Sequence, residues 1–370
     1  MELKIQRNEF LKSLQRCQGV VPAKGTMSIL AYLLIKTVPN GIEVAATDLE
    51  LSIRSFSQAQ IVSEGQITLL AKKIFEIVRE LPEEEIHLVK QSNNMIKIIC
   101  GKSDFTIGTL PAEDFPILPI YADHELETFD AVVLAEGIRK TIFAVPSGDP
   151  RYSMNGMLLE LGAQQLAMVA TDGHRLSYFK RSLGTENPER KINVILPKKF
   201  LLELRRLLEE GISELKMVLQ EKQAIFKTAE VILTGRLIEG VFPNYHQAIP
   251  PADAGLTHVK VKKPDYVHAL RRVVLLSDEK ARGVKMQLRW GQIHLCSQES
   301  ELGDAEETIE TDYRGEELTL GFNADYLLEI LSVIDEEELD LGISGGLGPC
   351  VITPVNNPDY LCIIMPLRVD

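Results

Sequence analysis

The sequence is poor in cysteine, lacks a long apolar run and has no overall surplus of positive charge, and each shortage excludes a class of protein. Its 370 residues include five cysteines, and no two of them form a Cys-x-x-Cys pair. Neither a zinc-binding motif nor a disulfide framework is therefore predicted, as for proteins of a reducing cytoplasm. No apolar run approaches the about 20 residues of a membrane-spanning helix, and the charged start MELKIQRNEF is unlike a signal peptide. We therefore expect a cytoplasmic protein.

Motifs of catalysis are also missing. A Gly-Lys-Ser segment at 101–103 ends like a phosphate-binding loop but lacks the first glycine of that motif. The densest polar motif is ATDGHRL at 170–176, in which Asp172 and His174 could form an acid–base pair. No nucleophile stands at a suitable spacing, so this motif favours a turn stabilised by the Thr171 and Asp172 side chains. We predict no enzyme activity, catalytic residue, metal site or cofactor, and an acid–base enzyme remains one alternative.

An internal repeat with a period of about one third of the chain is the strongest pattern present. Three segments are predicted as amphipathic helices, at 7–18, 136–145 and 264–277. The apolar positions Phe10, Ile138 and Tyr266 are each 128 residues apart, and so are Leu14, Ile142 and Leu270. Positions four residues apart lie on one helix face, so each helix has one buried side.

A second class of helix recurs at 69–81, 196–208 and 321–333, where Ile74, Phe200 and Tyr326 are 126 residues apart. Two loop motifs recur as well. Ala-Thr-Asp at 46–48 returns at 170–172, and Phe-Pro at 115–116 returns at 242–243. The third copy keeps the helix pattern and lacks both loop motifs. Four matches at nearly one spacing favour three copies of one unit.

Short alternating runs between these helices predict antiparallel strands with one buried face. We therefore predict an α+β fold of three tandem domains, each with two helices backed by antiparallel sheets. The predicted domains are residues 1–121, 128–250 and 251–370.

The distribution of charge permits two interpretations. The formal net charge is −13, which alone argues against binding to phosphates. Five of the six predicted helices nevertheless carry a local surplus of lysine and arginine. These cations are either ordinary residues of solvated helix faces or a basic surface facing DNA within an acidic exterior.

Several segments together resemble one protein family. DPRYSMNGMLLEL (149–161), VATDGHRL (169–176), EGVFPNYHQAIP (239–250) and IIMPLRV (363–369) resemble the signature stretches of the bacterial β sliding clamps, the β subunits of DNA polymerase III. The N-terminal 21 residues, ATDLEL (46–51) and LSDEKARGVKMQL (276–288) are similar to the same family, so the resemblance covers the whole chain.

The resemblance implies a head-to-tail homodimer whose six domains form a ring around duplex DNA, with helices lining the hole. Such a processivity factor binds DNA without sequence specificity and needs no base-reading motif. The implied partners are the polymerase III α subunit, the clamp loader, other polymerases and mismatch-repair proteins, each through a short clamp-binding peptide. No membrane partner is implied, and a nucleoid-associated location is expected. A repeat scaffold that binds proteins without encircling DNA is the other alternative.

The resemblance also implies site residues. The peptide pocket between the second and third domains comprises Met154, Thr171, Gly173, His174, Arg175, Leu176, Pro243, Ile363, Met365, Pro366, Leu367 and Arg368. DNA contacts are implied at Lys24, Lys72, Tyr152 and Ser153, with Lys198 and Lys199 beside them. The dimer contact is predicted between Phe105 and Ile107 of one chain and Leu275 and Leu276 of the other.

This sequence departs from the family pattern at several of these sites. Met154 replaces a frequent leucine, Ser153 replaces a frequent tyrosine, and Gly148 occupies a frequent polar position. A basic residue is missing at Gln247, and Ala248 replaces a valine-like residue. These departures affect the expected peptide affinity and the set of DNA contacts.

Overall fold

The computed structural model describes residues 1–22, 27–162, 164–183, 191–212, 214–251, 254–278, 282–297, 303–345 and 348–368. Within these residues the α-helices are α1 (Arg7–Gln18), α2 (Ala71–Glu80), α3 (Ala131–Thr141), α4 (Lys198–Leu208), α5 (Lys263–Val273) and α6 (Ala324–Ser332). Short 3-10 helices extend the chain after α3 at Ile142–Ala144 and after α5 at Val274–Leu276.

Each α-helix follows directly after a strand, and further strands come after it. Those before residue 130 are β1 (Glu2–Gln6), β2 (Tyr32–Val38), β3 (Gly41–Thr47), β4 (Leu51–Gln58), β5 (Gln60–Ser63), β6 (Gln66–Leu70), β7 (Glu85–Lys90), β8 (Met95–Cys100), β9 (Ser103–Gly108) and β10 (Glu127–Phe129). Those of the middle of the chain are β11 (Gly156–Leu161), β12 (Gln165–Thr171), β13 (Arg175–Ser182), β14 (Ile192–Pro197), β15 (Leu215–Leu219), β16 (Gln223–Lys227) and β17 (Val231–Arg236). The remaining strands are β18 (Thr257–Lys262), β19 (Gly283–Arg289), β20 (Gln292–Ser297), β21 (Glu306–Glu310), β22 (Leu318–Asn323), β23 (Glu338–Ile343), β24 (Cys350–Pro354) and β25 (Tyr360–Ile364).

The chain divides into two compact units. The first comprises Met1–Val132 and Lys199–Leu237, and the second comprises Val133–Lys198 and Ile238–Asp370. The first unit holds a five-stranded sheet in the order β5-β1-β7-β8-β9 and an eight-stranded sheet in the order β10-β15-β16-β17-β4-β3-β2-β6. In this larger sheet β17 pairs with β4, so strands of two successive repeats share one sheet.

The second unit has the same plan. Its eight-stranded sheet runs β14-β11-β12-β13-β25-β24-β23-β18, and its four-stranded sheet runs β21-β20-β19-β22. Here β13 pairs with β25, again joining successive repeats. All named strand pairs in both units are antiparallel, as the alternating sequence pattern predicts.

The recurring apolar residues of the helices are core residues. Phe10, Ile138 and Tyr266 are fully buried, and so are Leu14 and Leu270. The predicted helix faces are therefore confirmed, because a residue recurs in each copy where its helix packs on the sheets.

One helix begins earlier than predicted. The sequence pattern placed the start of α3 near residue 136, whereas the helix begins at Ala131. The Asp130 carboxylate accepts a hydrogen bond from the backbone N–H of Val132 at 2.8 Å, which is a helix-capping contact. The prediction missed this signal because it relied on the recurring apolar residues, which lie later in the helix.

Candidate functional site

The β12–β13 turn is fixed by its own side chains. The Thr171 hydroxyl donates to the Arg175 carbonyl at 2.7 Å and accepts from the Gly173 N–H at 3.1 Å. The Asp172 carboxylate accepts from the N–H groups of His174 and Arg175, each at 2.9 Å. Gly173 has a φ of 88°, a left-handed conformation that favours glycine. These contacts confirm the turn interpretation of ATDGHRL and engage the carboxylate that an acid–base pair would need.

The C-terminal segment runs beside this turn. After β25 the Met365 N–H donates to the His174 carbonyl at 2.8 Å, and the Leu367 N–H donates to the Gly321 carbonyl at 2.8 Å. The segment is therefore held by backbone bonds to both sheets of the second unit. Residues 365–367 are thus fixed in position, although Met365 is 41% exposed.

Three stretches that are far apart in sequence meet here in one cluster. Its buried members include Leu176, Phe242, Tyr245, Val351 and Ile363. Of the predicted pocket residues, those with exposed surface are Gly173, His174, Pro243, Met365 and Arg368. The buried ones are Met154, Thr171, Arg175, Leu176 and Ile363, and the half-buried ones are Pro366 and Leu367. The arrangement is an apolar floor with an adaptable rim of histidine, proline and methionine, as a peptide groove requires.

The side chain of Arg175 is committed inside the protein. Its guanidinium donates to the Asp172 carboxylate at 3.0 Å, to the Phe143 carbonyl at 2.9 Å and to the Glu329 carboxylate. It also lies over the ring of Tyr326, 4.2 Å from the centroid. Because these donors are engaged, we infer that Arg175 holds the turn against α6 and does not itself bind a peptide.

Tyr326 lies beside the predicted pocket residues His174 and Arg175, and the sequence did not predict it there. Its ring centroid lies 6.4 Å from that of His174. Burial raises the pKa of its hydroxyl, and the nearby Asp172 carboxylate adds to this effect. A signal was present, because tyrosine occupies a helix position where the other two copies carry the wholly apolar Ile74 and Phe200.

The loop before β11 adjoins the same turn. Arg151 forms a fork with the Asp149 carboxylate at 2.9 and 2.8 Å and donates to the Asp172 carbonyl at 3.2 Å. This pairing lowers the pKa of Asp149 to about 2. The loop places Tyr152 with its side chain exposed and Ser153 half-buried.

The residues implied for DNA contact differ in availability. Lys24 lies outside the described residues. In the first unit Lys72 is exposed and has no ion pair among the described residues, whereas the Lys199 ammonium contacts the Asp48 carboxylate and the Val20 carbonyl. In the second unit the Lys198 ammonium donates to the carbonyl of Val145 at 2.5 Å, and burial lowers its pKa.

Part of the cationic surplus on α1 is neutralised within the first unit. Arg16 is buried and pairs with Glu210 at 2.6 Å and Glu230 at 2.8 Å. Arg7 donates to the carbonyl of Val78 at 3.0 Å and to that of Arg79. These two arginines stabilise the packing of α1, so the cations of this helix are only in part available to a ligand.

The residues predicted for the dimer contact lie at surface positions. Phe105 is exposed and Ile107 half-buried on β9, the edge strand of its sheet. Leu275 is exposed and Leu276 half-buried in the 3-10 helix after α5. Among the described strands, β21 forms an edge of the four-stranded sheet.

The described residues contain neither a cluster of metal ligands nor a long apolar helix. No group of three or more histidine, cysteine, aspartate or glutamate side chains in the described part of the chain could hold a metal ion. Among the helices of the described residues, none is both long and apolar enough to span a membrane.

Comparison with known proteins identifies the family. Three family models match in chain order: the N-terminal domain of the DNA polymerase III beta subunit at residues 1–119, its central domain at 128–244 and its C-terminal domain at 247–368. A curated relative from Pseudomonas putida, named beta sliding clamp, is 34% identical over 370 residues and covers both chains fully.

Solved structures agree in fold over the full length. The DNA polymerase III beta subunit of Pseudomonas aeruginosa bound to griselimycin has a TM-score of 0.93 at 32% identity, with both chains fully covered. The DNA polymerase sliding clamp of Bacillus subtilis has a TM-score of 0.94 at 29% identity, also with full coverage of both. Since family models, curated relatives and structures agree along the whole length, the chain belongs to the beta sliding clamps, the beta subunits of bacterial DNA polymerase III.

Proposed function

We propose that this protein is a processivity factor of DNA replication, a ring that encircles duplex DNA and tethers polymerases to it. The observation that carries the proposal is the match of three beta-subunit domains in chain order over the full length. The threefold repeat supports it, because two chains of three similar domains supply the six segments of a symmetric ring.

Ring closure is proposed to be a head-to-tail contact between two chains. The edge strand β9 carries an exposed apolar side chain, Phe105, and the edge strand β21 is available in the last repeat. Exposed sheet edges favour association, and pairing β9 of one chain with β21 of the next removes both. Head-to-tail contacts form a closed ring when the rotation from one chain to the next leads back to the first chain.

The net charge of −13 is compatible with such a ring. A ring retained by topology needs only weak phosphate contacts, which salt screens and which let the protein slide. Exposed cations such as Lys72, with the aromatic Tyr152, supply contacts of this kind. Sequence readout is not required, because phosphate contacts carry no sequence information.

Partners are proposed to bind the groove formed by the 171–176 turn, residues 242–245 and residues 363–367. A short peptide with leucine and phenylalanine anchors buries them against the apolar floor around Leu176 and Ile363. Two or three such anchors give an affinity of about micromolar strength. The proposed occupants are segments of the polymerase III α subunit, the clamp loader, other polymerases and mismatch-repair proteins.

Retention on circular DNA tests the proposal. The protein is loaded onto nicked circular plasmid by a clamp loader, and the DNA-bound fraction is measured by gel filtration before and after cutting at one site. We expect retention on the circle and loss after linearisation, because a ring slides off an open end. A scaffold that binds proteins without encircling DNA predicts no difference between the two DNA forms, and that outcome would contradict the ring.

A further inference from the structure

The first unit contains a second copy of the groove turn. At the β3–β4 turn the Thr47 hydroxyl donates to the Leu51 carbonyl at 3.0 Å and accepts from the Leu49 N–H at 3.0 Å. The Asp48 carboxylate accepts from the N–H groups of Glu50 and Leu51 at 3.0 and 2.6 Å. Each bond has its counterpart in the β12–β13 turn, so the two turns have the same construction.

The strand beside the turn is equivalent too. Leu51 of β4 lies opposite Gly235 of β17, as Arg175 lies opposite Ile364. Arg236 follows Gly235 in the chain, and its N–H donates to the Glu50 carbonyl at 2.8 Å. Met365 follows Ile364 in the same way, and its N–H donates to the His174 carbonyl. The same backbone framework that forms the peptide groove in the second unit therefore recurs in the first.

This framework encloses a cavity of about 260 Å³, which we call the second groove. Its lining includes Leu49, Glu50, Ser52, the segment 116–119, Lys222, Thr234 and Arg236. The floor residues equivalent to Leu176 and Ile363 are Ser52 and Thr234, both buried. A floor with hydroxyl groups does not fit the apolar anchors of the first groove, so the two grooves select different ligands.

The rim of the second groove exposes two large aliphatic side chains. Ile117 is 94% exposed and Leu49 is 56% exposed. Leu49 also has a φ of 80° at the position where the other turn has Gly173. A left-handed backbone is unfavourable for leucine, and exposure of its side chain returns no burial. A residue that is strained and also exposes apolar surface is typical of a position kept for ligand binding.

Cations surround this rim, although the chain as a whole is acidic. Lys222 is exposed and has no ion pair among the described residues. Arg236 lies 3.7 Å from Glu50, and Arg54 donates to the carbonyl of Pro119 at the end of the lining segment. Among the lining residues Lys222 and Arg236 are cations and Glu50 is a carboxylate, so a small surplus of positive charge favours an anionic ligand.

We propose that the second groove binds an extended peptide segment of a partner protein that carries an aliphatic side chain flanked by carboxylates. The aliphatic side chain packs between Leu49 and Ile117, and a carboxylate pairs with Lys222. This inference rests on the proposed function in one respect, because it takes the first groove as a peptide site. Its ligand is different, and so the two can fail separately.

The test uses the full-length protein and a fluorescein-labelled pentapeptide, Glu-Leu-Asp-Leu-Glu amide, in an anisotropy titration. An excess of an unlabelled peptide of the Gln-Leu-x-Leu-Phe type occupies the first groove. We expect saturable binding that this competitor leaves unchanged. Because the chain is acidic overall, general electrostatics oppose this probe, so its binding requires a local site. Absence of binding, or full displacement by the competitor, overturns the proposal.

Two substitutions locate the ligand. Lys222→Glu should weaken the acidic probe at least about tenfold, because an attractive pair becomes repulsive, whereas Lys191→Glu, at an exposed lysine outside the lining, should change it less than about twofold. Leu49→Gly should weaken the probe about fivefold by removing the aliphatic contact and should raise the melting temperature by relieving the backbone. Equal effects of the two lysine variants, or unchanged affinity in Leu49→Gly, overturn the assignment.

The first groove has its own readout in the same titrations. Binding of a labelled Gln-Leu-x-Leu-Phe peptide should be the same in Leu49→Gly and in the parent protein. If that peptide fails to bind any form while the acidic probe binds, the proposed first groove is wrong and the second groove stands.

Discussion

At the scale of single residues, Arg175 is expected to support the proposed peptide groove without contacting the peptide. It is buried, and its donors are satisfied by Asp172, Glu329 and the carbonyl of Phe143. A buried cation that loses one partner is destabilising, so an incoming peptide gains little by competing for it. Its contribution is to hold the turn and α6 in a fixed relation, which pre-organises the groove.

Met365 occupies the opposite situation. Its backbone is fixed by the bond to His174, while its side chain remains 41% exposed beside the groove. The Met365→Ala variant should bind a Gln-Leu-x-Leu-Phe peptide about tenfold more weakly, because the removed side chain covers apolar ligand surface. The measurement is a fluorescence anisotropy titration together with thermal unfolding.

A matched methionine separates groove contact from general loss of apolar surface. Met27 is 46% exposed and lies in the first unit, so Met27→Ala should leave peptide affinity unchanged. Both variants should melt within about 2 °C of the parent, because neither side chain is in the core. If Met365→Ala leaves affinity unchanged, the groove has been assigned to the wrong residues.

At the scale of elements, the sequence predicted whatever follows from a repeated apolar pattern. The six helices, the antiparallel strands and the packing of Phe10, Ile138 and Tyr266 all follow from spacing. The start of α3 was misplaced because a cap at Asp130 depends on one side chain.

The site was predictable only in part. The resemblance supplied the stretches of the first groove, and the structure brings them together. It could not supply the partners of Arg175, because Phe143 and Glu329 are distant in sequence and their approach depends on the packing of α6. The recurrence of Ala-Thr-Asp at 46–48 was visible in the sequence, but its groove emerges only when β17 is placed beside β4.

We predict that the 3-10 helix after α5 forms part of the contact between two chains. Leu275 is 74% exposed, and the neighbouring Leu276 is half-buried. Burying a leucine contributes about 1.5–3 kcal/mol, so replacing both by alanine should shift the dimer towards monomer. The measurement is the molar mass by light scattering during size exclusion at micromolar concentration.

An exposed aromatic elsewhere in the same repeat is the control for this prediction. Trp290 is 71% exposed at the β19–β20 turn, beyond the Gln292–Glu310 pair that ends β21 and far in sequence from the 3-10 helix. Trp290→Ala should therefore retain the dimer mass. A dimer that survives the double leucine substitution would show that the contact has been placed at the wrong surface.

At the scale of the whole molecule, the negative net charge and the local clusters of cations are related, because carboxylates neutralise many of those cations. Many cations are paired with carboxylates inside the units, and in the described residues seven carboxyl groups have a lowered pKa while two have a raised one. The lowered set includes Glu230, held by hydrogen bonds from Arg16 and Lys12. Cations paired in this way are less available to phosphate, which is compatible with the proposed ring, because that ring needs only weak phosphate contacts.

The lowered carboxyl pKa values determine how the stability of the fold changes with acid. A carboxyl whose folded pKa is lowered contributes stability above its unfolded pKa of about 4, and this contribution is lost as the pH falls through the folded pKa. For Asp149, with a folded pKa of about 2, the loss occurs between those two values. Since more carboxyl groups have a lowered pKa than a raised one, the melting temperature should decrease as the pH falls from about 5 to about 2.

Glu203 should respond in the opposite sense. It is buried on α4, and burial raises its pKa although Arg206 donates to it at 3.0 Å. Its ionised form therefore costs stability above the folded pKa, and protonation removes that cost as the pH falls. Glu203→Gln should raise the melting temperature at neutral pH by about 1–3 °C and lose this advantage below about pH 4.

The measurement is thermal unfolding across pH, with Glu209→Gln as the control. Glu209 is an exposed carboxyl just after the same helix, and its replacement should give no such gain. An equal loss of stability at both pH values in Glu203→Gln would assign the residue to packing, because a charge effect must disappear once the carboxyl is protonated.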